Sequence, residues 1–135
     1  MSTWLLSSGN KKFQLDEYLK IHGYVDWSQK NKVKVGDVVF VYISKPIGVV
    51  KYKMKVDRVN MKFGETTDNE EFWLDKAVYE KDKKRDRYFR LVLEQVLPDD
   101  EKLTFKGLSY NGLGCVQRMQ KLEGVKKDYF KDYFK

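Results

Sequence analysis

The chain has 135 residues, of which 41% are apolar, 35% charged and 15% aromatic, a size that suits one domain rather than two independent cores. Three Trp, nine Tyr and eight Phe supply enough burial to exclude disorder of the whole chain. No apolar run approaches the roughly 20 residues that a membrane-spanning helix needs, and the opening MSTWLLSSGN lacks the charged leader and apolar stretch of a signal peptide. The expectation is a cytoplasmic protein without a membrane partner. A single cysteine, Cys115, excludes an internal disulfide framework and a cysteine-based zinc site.

Taken in chain order, Thr3–Ser8 reads as a short buried strand, followed by polar Gly9, Asn10 and two lysines. Phe13, Leu15, Tyr18, Leu19 and His22 fall near helical spacing, with Gly23 as the stop. Tyr24–Lys34 shows no clear period and reads as an ordered loop. Val35-Gly36-Asp37 turns into Val38–Ile43, a continuous apolar run expected of a strand covered on both faces. After Pro46 and Gly48, Val50, Tyr52, Met54 and Val56 alternate with Lys51, Lys53, Lys55 and Asp57. That period of two places one face inward and a lysine stripe in water.

Phe63–Asn69 is a polar connection, Glu71–Asp75 a candidate short strand, and Lys81–Arg87 an exposed hairpin tip or loop. Tyr88–Leu97 is a strand that Pro98 ends, and Leu103–Leu108 is ambiguous. From Leu122, the residues Val125, Tyr129, Phe130, Tyr133 and Phe134 describe an aromatic helix over about 122–134. Five or six strands joined by turns, with a helix near each end, predict a single α+β domain over 1–135. Its sheet is expected to be mostly antiparallel and closed toward a barrel.

The net charge of +7 is uneven. Residues 1–62 hold twelve Lys or Arg against five Asp or Glu, whereas residues 63–135 hold fifteen of each. A basic half points to an anionic partner, most often nucleic acid, against the plainer reading that lysines keep an aromatic-rich domain soluble. Signals for catalysis are weak. His22 reads as a helix-end residue rather than a general base, and Cys115 as a small buried one. There is no phosphate-cradling glycine loop and no HExxH pair, so neither a cofactor nor a metal is expected. Signals for binding are better. Trp4, Trp27, Tyr42, Phe63, Trp73 and Tyr110 fall at expected strand ends or in loops, several beside Ser, Asn or Gln. Aromatic faces of that kind stack on exposed bases, and neighbouring amides and hydroxyls read base edges. For each ring except Trp27, which lies in a polar, lysine-rich stretch, packing in the core is the stronger reading.

Trp4-Leu5-Leu6-Ser7-Ser8-Gly9-Asn10, Asp26-Trp27-Ser28-Gln29 and Val35-Gly36-Asp37 with the strand through Ser44 occur in an order that resembles EVE domains of the PUA-like superfamily. Asp68–Trp73 and Tyr110-Asn111-Gly112-Leu113-Gly114-Cys115-Val116-Gln117 are similar to the subgroup found beside HNH endonucleases and restriction systems. The resemblance implies a PUA-like pseudo-barrel of five or six strands flanked by helices, with a pocket for a modified base flipped out of DNA or present in RNA. It also implies that Trp27 supplies a stacking wall, that Ser8, Ser28, Tyr42 and Ser44 line the pocket, and that Asn111 and Gln117 contact the base edge. Asn10 stands where many members carry Pro, and Gln117-Arg118-Met119-Gln120 replaces a glycine- and proline-bearing stretch, so no particular base is implied.

The leading expectation is a non-enzymatic nucleic-acid-binding module that recognises a modified base, with Lys30, Lys32, Lys45 and Arg118 on phosphates. A separate nuclease subunit is a candidate partner. The alternatives are a protein-interaction or regulatory subunit docking through its C-terminal helix, and an enzyme, since related barrels include nucleases and hydrolases.

Overall fold

A computed structural model describes residues 1–8, 13–44, 47–113 and 119–134. Six strands form one sheet in the order β2-β5-β4-β3-β1-β6. The strands are β1 (Thr3–Ser8), β2 (Tyr24–Ser28), β3 (Val38–Ile43), β4 (Val49–Met61), β5 (Tyr88–Val96) and β6 (Gln120–Leu122), and the sheet is packed with α1 (Leu15–His22), α2 (Lys76–Asp82), α3 (Phe105–Tyr110) and α4 (Val125–Asp128). Four pairings are antiparallel, and β1 with β3 is the parallel one. The sheet curls into a half-barrel of the expected α+β, PUA-like type.

The apolar pattern explains the layering. All six residues of β3 are buried because the sheet carries a core on each face. Val39, Val41 and Ile43 join Trp4, Leu6, Tyr18 and Phe89 on one face. Val38, Phe40 and Tyr42 join Leu5, Leu103, Leu108 and Phe130 on the other. Helix α1 closes the first core with Leu15, Tyr18 and Leu19, and ends on Gly23 in the left-handed region at φ 74°. Asp37 locks the start of β3. Its carboxylate accepts from the Ser2 and Lys34 backbone N–H groups and from the Trp4 indole, at 2.9–3.0 Å. Burial alone would raise its pKa, but these three donors hold it below the ordinary aspartate value.

Five expectations need correction. Tyr24–Ser28, expected within a loop, is strand β2, paired antiparallel with β5. Its period is masked because Asp26 is buried as an ion pair rather than exposed. Glu71–Asp75 is not a strand. Glu70–Phe72 forms a 3-10 turn, and Trp73 makes only an isolated bridge to Phe13. Lys81–Arg87 is partly helical, since α2 runs through Asp82 behind the cap that Asp75 provides to the Ala77 and Val78 N–H groups. The lysine stripe of β4 is not uniformly solvated. A register shift beside Lys51 puts Val50 on the second core while Tyr52, Met54 and Val56 stay on the first. Lys53 is buried, 3.4 Å from Glu94 and 4.9 Å from the Phe134 ring centroid. Finally, the segment expected as one helix over 122–134 comprises the end of β6, the single-turn α4 and a 3-10 turn at Lys131–Phe134. Its rings turn inward, Phe130 stacking on Phe40 at 4.5 Å.

Candidate nucleic-acid interface

Trp27 lies on β2, at one end of the strand order, and its neighbours fix it from both sides. Asp26 points away from the Trp27 face and is gripped by Arg90, with Nε to Oδ1 at 2.7 Å and Nη2 to Oδ2 at 3.1 Å. The Thr67 N–H adds a third bond to the same carboxylate at 2.8 Å. The Asp26 carboxylate, by accepting from the guanidinium, raises the Arg90 pKa further above its already high value. Two residues past the indole, Gln29 is also buried. Its side chain accepts from the Asn60 N–H at 2.9 Å and donates to the Asn31 carbonyl at 3.2 Å. Buried polar groups on either side of Trp27 thus pin the backbone that carries the indole.

The Trp27 ring is half-buried. Phe13 meets it edge-on with centroids 5.8 Å apart, and Trp73 packs on Phe13 at 4.9 Å. Trp73 is itself oriented by its indole N–H, which donates to Asn69 Oδ1 at 3.0 Å. Two hollows share Trp27 and Ser28 as walls. The first, about 380 Å³, adds Leu6, Ser7, Lys30, Asn31 and Met119. The second, about 310 Å³, adds Phe13, Trp73, Val78, Lys81, Asp82 and Arg85. The lining side chains Lys30, Lys81 and Arg85 are exposed. Asp82 carries the one acidic side chain on either lining. Burial pushes its pKa up to about 6, against the opposing pull of Arg85 and Lys30.

The residues expected at the site divide into four groups. Trp27, Ser28 and Lys30 line the hollows. Ser8 lies one residue beyond the lining Ser7, buried, with its hydroxyl unpaired. By alternation it shares the face of Trp4 and Leu6. Others are elsewhere. Tyr42 is buried in the core on the opposite face of the sheet, because it has the parity of Phe40 rather than of Val41. It is not beside Trp27. Asn111 caps the C-terminus of α3, donating to the Gly107 carbonyl at 2.8 Å, and borders a separate hollow with Lys102, Tyr110 and Tyr129. Lys32 is exposed but lines neither hollow. Ser44 is half-buried just past β3 and donates its backbone N–H to the Ser8 carbonyl at 3.1 Å. Lys45, Gln117 and Arg118 lie outside the described residues.

Sequence reading missed Phe13, Trp73, Asp82, Lys81 and Arg85 as neighbours of Trp27. A local signal existed for Lys81 and Asp82: Asp75 before Lys76-Ala77-Val78-Tyr79 is an N-cap pattern. It would have placed Val78 and Asp82 one turn apart on one face of a helix.

The fold has clear counterparts. No protein-family model matches the chain, and no curated protein matches it in sequence. Among solved structures, the ASCH protein of Zymomonas mobilis superposes with a TM-score of 0.65 at 9% identity, covering 96% of this chain and 94% of that one. A Pseudomonas syringae protein gives 0.62 at 14% identity over 97% and 98% of the two chains. A Pseudomonas putida protein gives 0.62 at 15% identity over 96% and 97%. This chain therefore has a PUA-like fold of the kind seen in ASCH domains. At these identities the likeness is one of architecture.

Proposed function

We propose that the protein is a non-enzymatic nucleic-acid-binding module that takes a modified base against Trp27, the base being extruded where the target is duplex DNA. The observation that carries this reading is the half-buried indole opening on hollows lined in part by the exposed side chains of Lys30, Lys81 and Arg85. Stacking one base on an aromatic wall contributes about 1–3 kcal/mol, and extrusion from a duplex costs a few kcal/mol. A plain base roughly breaks even, so a modification that fits the hollow decides selectivity. The cations supply the sequence-independent part by neutralising phosphates. Both hollows fall at the small end of the roughly 300–1,000 Å³ typical of small-molecule sites. Any cleavage coupled to recognition belongs, in this reading, to a separate nuclease subunit. The PUA-like architecture is compatible with all of this but does not choose the ligand.

The test is fluorescence anisotropy with labelled oligonucleotides bearing different base modifications, for the wild type and Trp27→Ala, with circular dichroism to monitor the fold. Trp27→Ala is expected to stay folded and lose its preference for modified over plain strands. Wild-type affinity should fall steeply as salt is raised. An unchanged preference in the variant, or a flat salt response, refutes the proposal.

A further inference from the structure

The second hollow contains a group that the reading above leaves unused. Asp82 is the last residue of α2, and its backbone is held in place. Its carbonyl accepts from the Tyr88 hydroxyl and from the Arg85 N–H. Asp82 lines the same hollow as Phe13, Trp27 and Trp73. No described residue gives its carboxyl a hydrogen bond or an ion pair. Arg85 and Lys30 pull on it only through space, and Lys81 shares the lining without pairing to it. Partial burial without a donor is costly for an acceptor-only group. A bound molecule that presented donors there would remove the cost.

Of a heterocycle held in this hollow, the edge carries the hydrogen-bonding groups that a carboxylate can read. The four bases differ at that edge. Guanine presents two adjacent donors, N1–H and the N2 amino group. Adenine and cytosine each present one donor beside a lone-pair acceptor. Thymine and uracil present one donor between two carbonyls. Two carboxylate oxygens complement the first pattern and repel the acceptors of the others. Resting on the proposed base-binding function, we infer that this hollow takes a guanine-type base, modified away from its N1 and N2 positions, whose two donors are read by the Asp82 carboxylate. Asp82 is then the specificity-determining residue, and Trp27 the sequence-tolerant wall.

The experiment measures anisotropy on single-stranded oligothymidylates carrying one central guanine, adenine or cytosine, at pH 7.5. The proteins are the wild type, Asp82→Asn, Asp82→Ala and Trp27→Ala. A bidentate contact of this kind predicts that the wild type favours guanine over adenine by about tenfold. Asparagine replaces one acceptor by a donor, so Asp82→Asn should move the preference toward adenine and cytosine. Asp82→Ala should remove it. A wild type without guanine preference, or one whose preference survives in Asp82→Asn, overturns the inference. If Trp27→Ala still weakens binding in that case, the base-binding reading stands alone. If no probe binds, this inference falls and the base-binding reading is decided by the modified oligonucleotides described above; if the probes bind and Trp27→Ala binds as well as the wild type, both fall.

Discussion

Asp82→Asn should also stabilise the free protein, and by an amount that depends on pH. The carboxyl ionises near pH 6 in the folded chain, against an ordinary value of 3.8. The folded state therefore binds this proton more tightly than the unfolded state does. Between about pH 4 and pH 6 the wild type loses stability as pH rises, and above pH 6 the full cost of the desolvated charge is present. Each pKa unit corresponds to 1.36 kcal/mol. Partial solvent access and the nearby Arg85 and Lys30 screen the charge, so about 1–2 kcal/mol is expected at pH 7.5. Asparagine keeps the shape and removes the charge. Urea titrations of both proteins at pH 4, 5, 6 and 7.5 should show the variant ahead at pH 7.5 and the curves converging by pH 4. For a chain of this length the gap corresponds to roughly 3–8 °C in Tm. A variant no more stable at pH 7.5, or a gap that does not narrow in acid, would show that the Asp82 carboxyl is fully solvated and carries no desolvation cost.

Two further perturbations test the frame that holds the site. Asp37→Ala strands the Trp4 indole and the Ser2 and Lys34 N–H groups, and should cost about 2–4 kcal/mol by chemical denaturation. Because the Asp37 pKa is lowered in the folded state, its contribution is complete above about pH 4 and is lost as pH falls through the depressed folded value. The wild type should therefore lose stability in that acid range more steeply than Asp37→Ala. Arg90→Met leaves the Asp26 carboxylate buried without its guanidinium, and about 3 kcal/mol should be lost. Protection of the Thr67 amide, which bonds to the same carboxylate, should fall with it in hydrogen exchange.

What was legible in the sequence follows from where apolar periodicity survives. β1, β3 and β5 carry continuous or alternating apolar runs, and Gly23 ends α1 as its chemistry demands. β2 was hidden because its central Asp26 and the following Gln29 are buried polar residues whose partners, Arg90 and Asn60, lie far along the chain. In β4 the alternation is visible, but the shift at Lys51 is not, so it could not reveal that Val50 and Tyr52 face different cores. Tyr42 shows the same limit at the site. Its parity with Phe40 is plain from the sequence, but which face that parity occupies depends on the tertiary arrangement. Trp27, Ser28 and Lys30 were found because they are adjacent in sequence. Trp73 and Asp82 reach the same hollow only after the chain has passed through β3 and β4, and Asp82 only at the end of α2.

The position of the hollow follows from the logic of sheet edges. β2 ends the strand order, and among the described residues its one strand partner is β5. An unpaired edge invites pairing with other chains unless it is short or carries inward charge. β2 has five residues and a buried ion pair at its middle, so both devices are present. The same ion pair fixes the strand from the face opposite Trp27, leaving the indole at the point where the sheet runs out and cannot cover it. One arrangement thus protects the edge and keeps an aromatic surface open to a ligand. This explains why a costly buried carboxylate sits one residue before the indole: a hydrophobic residue at position 26 could pack as well, but it would leave the edge free to pair and Thr67 without its acceptor.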